Sequence, residues 1–149
     1  MRETSDYATG ASFTFRASSF VASLRSDPTF SGMPALSEWE QGVNSSNIPY
    51  YRYGNEYVAL MLFVTGEDHS GYVAEIKLLV GSEKDTSISD DEIAAEFIPL
   101  VGATLGVSET MAENLVNDAY SAGSADYQSV KVLFQKGSDS RAFYIYAHD

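Results

Sequence analysis

From Tyr57 to Val64 the chain is apolar at every position, a run that predicts a strand covered on both faces. The stretch that follows alternates. Tyr72, Ala74, Ile76, Leu78 and Val80 point one way, and Val73, Glu75, Lys77 and Leu79 the other, so one dry and one partly solvated face are expected. Thr65 to Gly71, polar inside and with glycines near its ends, reads as the solvated hairpin loop between them. Upstream, Tyr51 and Tyr53 alternate around Arg52, and Gly54-Asn55 signals a tight turn, which makes residues 48 to 80 a three-stranded meander.

Elsewhere the spacing is helical. Phe20 and Leu24, with Val21, predict a short amphipathic helix from Ala17 to Ser26, ended by Asp27-Pro28. Phe13 and Phe15 suit a short strand or staple before it. Met33, Leu36 and Trp39 suit a helical turn opened by Pro34 and closed by Gly42, with an edge strand through 37 to 41 as the alternative; residues 42 to 47 read as loop. Ser82 to Ser87 is a polar connection. Ser89 and Glu92 then form a capping box for a helix with Ile93, Phe97, Leu100 and Val101 on its apolar stripe. Pro99 is expected to kink or end that helix. Ser108 caps another, with Met111, Leu115, Val116 and Ala119 inward and Gly123 as its stop. A second hairpin, with Val130, Val132 and Phe134 before a turn at 136–140 and alternation through 143–146 after it, closes the chain.

The fold class expected is α+β. A mainly antiparallel sheet of five or six strands, a meander plus a C-terminal hairpin, carries a short N-terminal helix and a two-helix segment packed on one face. Residues 1–11 read as a flexible N-terminal tether and 12–149 as a single domain.

Composition narrows the functions. The 149 residues include no cysteine, which excludes disulfides, zinc-thiolate sites and thiol catalysis. A net charge of −12 disfavours nucleic acid and anionic membranes as partners. Ten acids against Lys84 alone place nine of those twelve charges between Glu83 and Asp126, on a helical stretch that serves solubility or meets a basic partner. No segment has the length and apolarity of a membrane span.

Chemical motifs are sparse. His69 with Glu67 and Asp68 is the nearest approach to a metal cluster, but consecutive loop residues rarely converge on one ion, and His148 stands near the end of the chain, where fraying is expected. Glu83, Asp85, Asp90, Asp91 and Glu92 lack the central glycine of a calcium loop. Neither a Gly-x-Ser-x-Gly elbow nor a phosphate loop is found. Asn44-Ser45-Ser46 fits the N-glycosylation pattern. No cofactor and no enzymatic activity are expected. The aromatic group Trp39, Tyr50, Tyr51, Tyr53 and Tyr57 serves either sheet packing or recognition, and Trp39, Tyr51 and Tyr53 are the candidate binding residues, with at least one expected to be more than half exposed.

Three stretches, FTFRASSFVASL, YVALMLFV…GYVAEIKLLV and DDEIAAEFIPLVGATLGVSETMAENLV, resemble small uncharacterised α+β domains of extracytoplasmic lipoproteins from Gram-positive anaerobes. The resemblance implies a location at the cell surface or in the medium, although no leader or lipobox cysteine stands among these residues; the alternative is cytoplasmic. It implies no activity. The function expected is a non-enzymatic binding domain for a protein, peptide or glycan. The alternative is an acidic chaperone or inhibitor that meets a basic partner through the 83–126 helical face. A homodimer through an exposed edge strand at 141–147 is also expected as an option.

Overall fold

A computed structural model describes residues 11–148 except positions 31, 45, 66–68 and 70. Helix α1 (Ala17–Arg25) leads into two short 3₁₀ turns at Pro28–Phe30 and Leu36–Glu38. Strands β1 (Glu40–Val43), β2 (Pro49–Gly54), β3 (Val58–Val64) and β4 (Val73–Gly81) follow. Then come the single turn α2 (Glu83–Thr86), the longer helices α3 (Asp90–Leu105) and α4 (Glu109–Ala122), and strands β5 (Ser124–Tyr127), β6 (Val130–Lys136) and β7 (Ser140–Ala147).

All seven strands form one antiparallel sheet in the order β1-β2-β3-β4-β7-β6-β5. This is the α+β architecture read from the pattern, with two strands more than the meander and hairpin account for. β1 is the edge alternative for 37–41, set three residues further on. Ser124-Ala-Asp-Tyr127 of β5 has almost no apolar alternation to signal a strand; pairing with β6 makes it one.

The helices cover one face. Phe20, Val21 and Leu24 of α1, Ile93, Phe97 and Leu100 of α3 and Leu115 and Val116 of α4 share a core with Leu60, Leu62, Ile76, Leu78, Phe143 and Ile145. Phe97 and Phe143 stack across this interface, ring centroids 4.9 Å apart. The second face holds two smaller clusters, Tyr50-Met61-Phe63 and Leu79-Ala142-Tyr144, and no described helix contributes to either.

That second face corrects the reading of β4. Glu75 and Lys77 were expected on a partly solvated side, yet they are 0% and 3% exposed. β4 is the central strand of seven, and Lys77 lies under the Tyr144 ring with its Nζ 5.2 Å from the centroid. Central position also overturns the dimer edge at 141–147. β7 is paired on both sides, by β4 and β6, so among the described strands the edges are β1 and β5.

Local signals held where the chemistry is local. Ser89 and Glu92 cap each other reciprocally, Ser108 accepts from the Met111 N–H, and Gly106 (φ 67°) and Gly123 (φ 95°) end their helices. Pro99 does not end α3, which runs on to Leu105. Its missing N–H removes one bond, and the apolar stripe on both sides of it holds the helix against the sheet. At the N-terminus, Phe13 donates to the Val73 carbonyl and the Phe15 carbonyl accepts from the Val73 N–H. Ala11, placed in the tether by the sequence reading, packs against the core; the remainder of that segment, residues 1–10, lies outside the described residues. His148 is not frayed, since its N–H donates to the Ser129 carbonyl. Among the described residues no helix is long and apolar enough to cross a membrane.

Candidate functional site

The three residues singled out for binding separate. Trp39 and Tyr51 are buried, at 4% and 8% exposure, and Tyr53 is 39% exposed, so none reaches half. The reason is register. Tyr51 and Tyr53 pair with Leu62 and Leu60 and therefore point, like them, toward the helical layer. Tyr51 donates its hydroxyl to the His69 carbonyl at 3.0 Å, and its ring meets the His69 imidazole edge-on. The imidazole Nε2 lies 2.9 Å from the Gly42 carbonyl oxygen. His69 thus fastens its loop to the sheet edge; Glu67 and Asp68 lie outside the described residues, and among the described residues no acid and histidine group could hold a metal.

Trp39 and Tyr53 belong together, their rings 5.4 Å apart. The indole N–H donates to the Pro34 carbonyl, so Trp39 is a fixed, buried backing for the more exposed phenol. In front of Tyr53 opens a pocket of about 530 Å³ between the β2–β3 hairpin and α3. Leu60, Leu78 and Leu100 form its floor, and Phe30, Met33 and Val58 its apolar walls. Thr29, Asn55 and Glu96 supply polar atoms.

The hairpin tip that borders this pocket is held tightly. Gly54 has φ 139°, and a Cβ there would stand 2.1 Å from the Val58 carbonyl oxygen, so only glycine fits. The Asn55 side-chain oxygen accepts from the N–H groups of Tyr57 and Val58, and Arg52 donates to the Asn55 carbonyl. The tip is thus held by its own hydrogen bonds, a preformed geometry of the kind that lowers the cost of binding in pockets generally. A larger hollow of about 880 Å³ lies between α1 and α3, but small residues such as Ser23, Ala95, Gly102 and Ala103 dominate it and it has no aromatic wall.

A charged node lies under the start of α3. Arg141, 1% exposed, donates to the carbonyls of Gly81 and Ile88, to Thr86 Oγ1 and to Asp90 Oδ1 at 3.0 Å. Lys136 and Tyr120 donate to the other Asp90 oxygen, at 3.0 and 3.3 Å. Burial pushes the Asp90 carboxyl pKa up, but the hydrogen bonds from Arg141 and Lys136 and their charges outweigh it and hold the pKa below the ordinary aspartate value. The bond to Asp90 raises the Lys136 pKa. Partial desolvation and then the charge of Asp90 raise that of Tyr120. Glu83 lies 3.6 Å from Lys136 and Asp126 3.6 Å from Lys131, so among the described residues three of the ten acids of the 83–126 stretch are engaged by nearby cations. The calcium-like grouping dissolves likewise: Asp85 accepts from Ser82, Glu92 caps Ser89, and Asp90 holds Arg141. Asn44 folds its side chain onto the N–H groups of Ser46 and Ile48 in a local turn.

The sequence pointed to Tyr53 and Trp39 but not to the pocket. Phe30, Met33, Leu78, Leu100 and Glu96 come from separate elements and read individually as core or helix surface. No family model, curated protein or solved structure matches this chain.

Proposed function

We propose that this protein is a non-enzymatic binding domain that takes an apolar group into the pocket beside Tyr53. One observation carries the reading. A 39%-exposed tyrosine, backed by buried Trp39, stands over an apolar floor at a hydrogen-bonded hairpin tip. Exposed tyrosine over apolar side chains offers contact area at low entropic cost, with a hydroxyl to orient the guest. Titration with the neutral probe N-phenyl-1-naphthylamine tests it. Saturable fluorescence enhancement is expected, weakened roughly tenfold by Tyr53→Ala, the scale set by loss of one aromatic contact. Absence of saturable binding to the parent protein sinks the proposal. An extracytoplasmic location belongs to the same proposal, supported by the resemblance of three segments to exported domains. The mass and N-terminus of the native protein in membrane, medium and cytosol decide it: a processed leader supports export, and an unprocessed cytosolic chain opposes it.

A further inference from the structure

The pocket carries one charge. Among the described residues that line it, Glu96 is the sole acid, and no lysine, arginine or histidine joins it. Glu96 is exposed on α3 and forms no ion pair among the described residues, unlike Glu83, Asp90 and Asp126. Glu96 shares this lining with Phe30 and Tyr53, aromatic residues whose π faces attract cations. The wider field has the same sign, with a net charge of −12. An apolar floor, aromatic walls and a carboxylate without a local cation together select a guest with two parts.

Building on the pocket reading above, we propose that the ligand is an amphipathic cation. Its aryl or alkyl body fills the space over Leu60, Leu78 and Leu100, and its ammonium or guanidinium head meets Glu96 and the Tyr53 ring. An anionic guest of the same shape meets Glu96 and the protein's own field as repulsion. A neutral one gains the apolar contact alone. The head group therefore decides among ligands of equal body, and the body supplies most of the contact. A free amine and a peptide segment with a cationic residue next to an aromatic one share this chemistry.

The test compares 2-phenylethylammonium, 2-phenylethanol and 3-phenylpropionate, read by methyl and amide NMR shifts of the pocket residues. At low salt the ammonium is expected to bind roughly fivefold more tightly than the alcohol, and the carboxylate most weakly, with the spread narrowing at high salt. Glu96→Gln, a surface change, should shrink the preference to what the Tyr53 ring and the net charge sustain, and Glu96→Lys should reverse it. Equal affinities for all three, unchanged in Glu96→Gln, overturn the charge inference and leave the pocket reading standing. Failure of every probe to shift the pocket residues removes the pocket reading itself, and the inference with it. Acetyl-Phe-Lys-amide against acetyl-Phe-Gln-amide then separates the sources. A lysine preference with tighter binding than the free amine assigns a peptide segment, and weaker binding than the free amine assigns a small cation.

Discussion

Removing the Arg141 side chain is the most informative single change to the fold. The guanidinium is 1% exposed, hydrogen-bonds four residues that lie far away in sequence and stands 3.8 Å from the Glu83 carboxylate. It bonds Gly81 at 3.0 and 2.7 Å, Asp90 at 3.0 Å, Thr86 at 3.1 Å, and Ile88. In Arg141→Ala the Gly81 and Ile88 carbonyls lose these donors, a loss of about 1–3 kcal/mol for each acceptor left buried. Asp90 keeps Lys136 and Tyr120, which limits its share. The loss of one partner of a buried ion pair typically costs about 3–5 kcal/mol, and the same range is expected here. For a chain of this length that corresponds to a fall of roughly 10 °C in Tm. Urea unfolding followed by Trp39 fluorescence measures it, because the single tryptophan is buried and fixed. Arg141→Lys should fall between, since one ammonium cannot fork to a carboxylate and two carbonyls. Lys136→Ala, at an exposed position, should change stability far less. A loss below about 1 kcal/mol in Arg141→Ala would refute the reasoning and make the node an ornament of a sheet stabilised by its apolar faces alone.

The same node fixes a pH dependence. The folded-state pKa of Asp90 is depressed, so its contribution is fully present above the unfolded value near 4 and is lost as pH falls through the folded value. Unfolding free energy measured from pH 6 downward should therefore drop less steeply in Asp90→Asn than in the parent, and parallel curves would contradict this. Lys136, whose pKa is raised, should lose its contribution only as pH rises above its ordinary value near 10.5. Ser89→Ala removes the hydroxyl that accepts from the Glu92 N–H, leaves the residue-89 N–H on the Glu92 carboxylate, and should cost about 1 kcal/mol by chemical unfolding, whereas an unchanged midpoint would deny the hydroxyl any role. Gly42→Ala should destabilise the β1 edge by about 1–3 kcal/mol, since the new Cβ would lie 2.3 Å from the Tyr50 hydroxyl. Unaltered hydrogen-exchange protection in β1 and β2 would show that Tyr50 simply moves aside.

What the sequence determined by itself is everything whose cause lies within a few residues. The Ser89–Glu92 box, the Ser108 cap, the Gly54-Asn55 turn and the apolar run from Tyr57 to Val64 each specify a local conformation through neighbouring atoms, and all four appear where the pattern places them, except that the strand starts at Val58 and leaves Tyr57 48% exposed. What only the tertiary structure decided is set by pairings between distant segments. Sheet order places β7 between β4 and β6, which sets Tyr146 and Tyr144 beside the buried Glu75 and Lys77, removes 141–147 from the edge and carries Arg141 to Gly81, 60 positions away. Tyr51 and Tyr53 look alike in sequence, yet one is fastened under the His69 loop and the other opens onto a pocket. Their difference comes from what the helical layer and the neighbouring loops bring over each. Alternation fixes which side of a strand a residue takes, and only the packed layers decide whether that side is core, loop anchor or pocket wall.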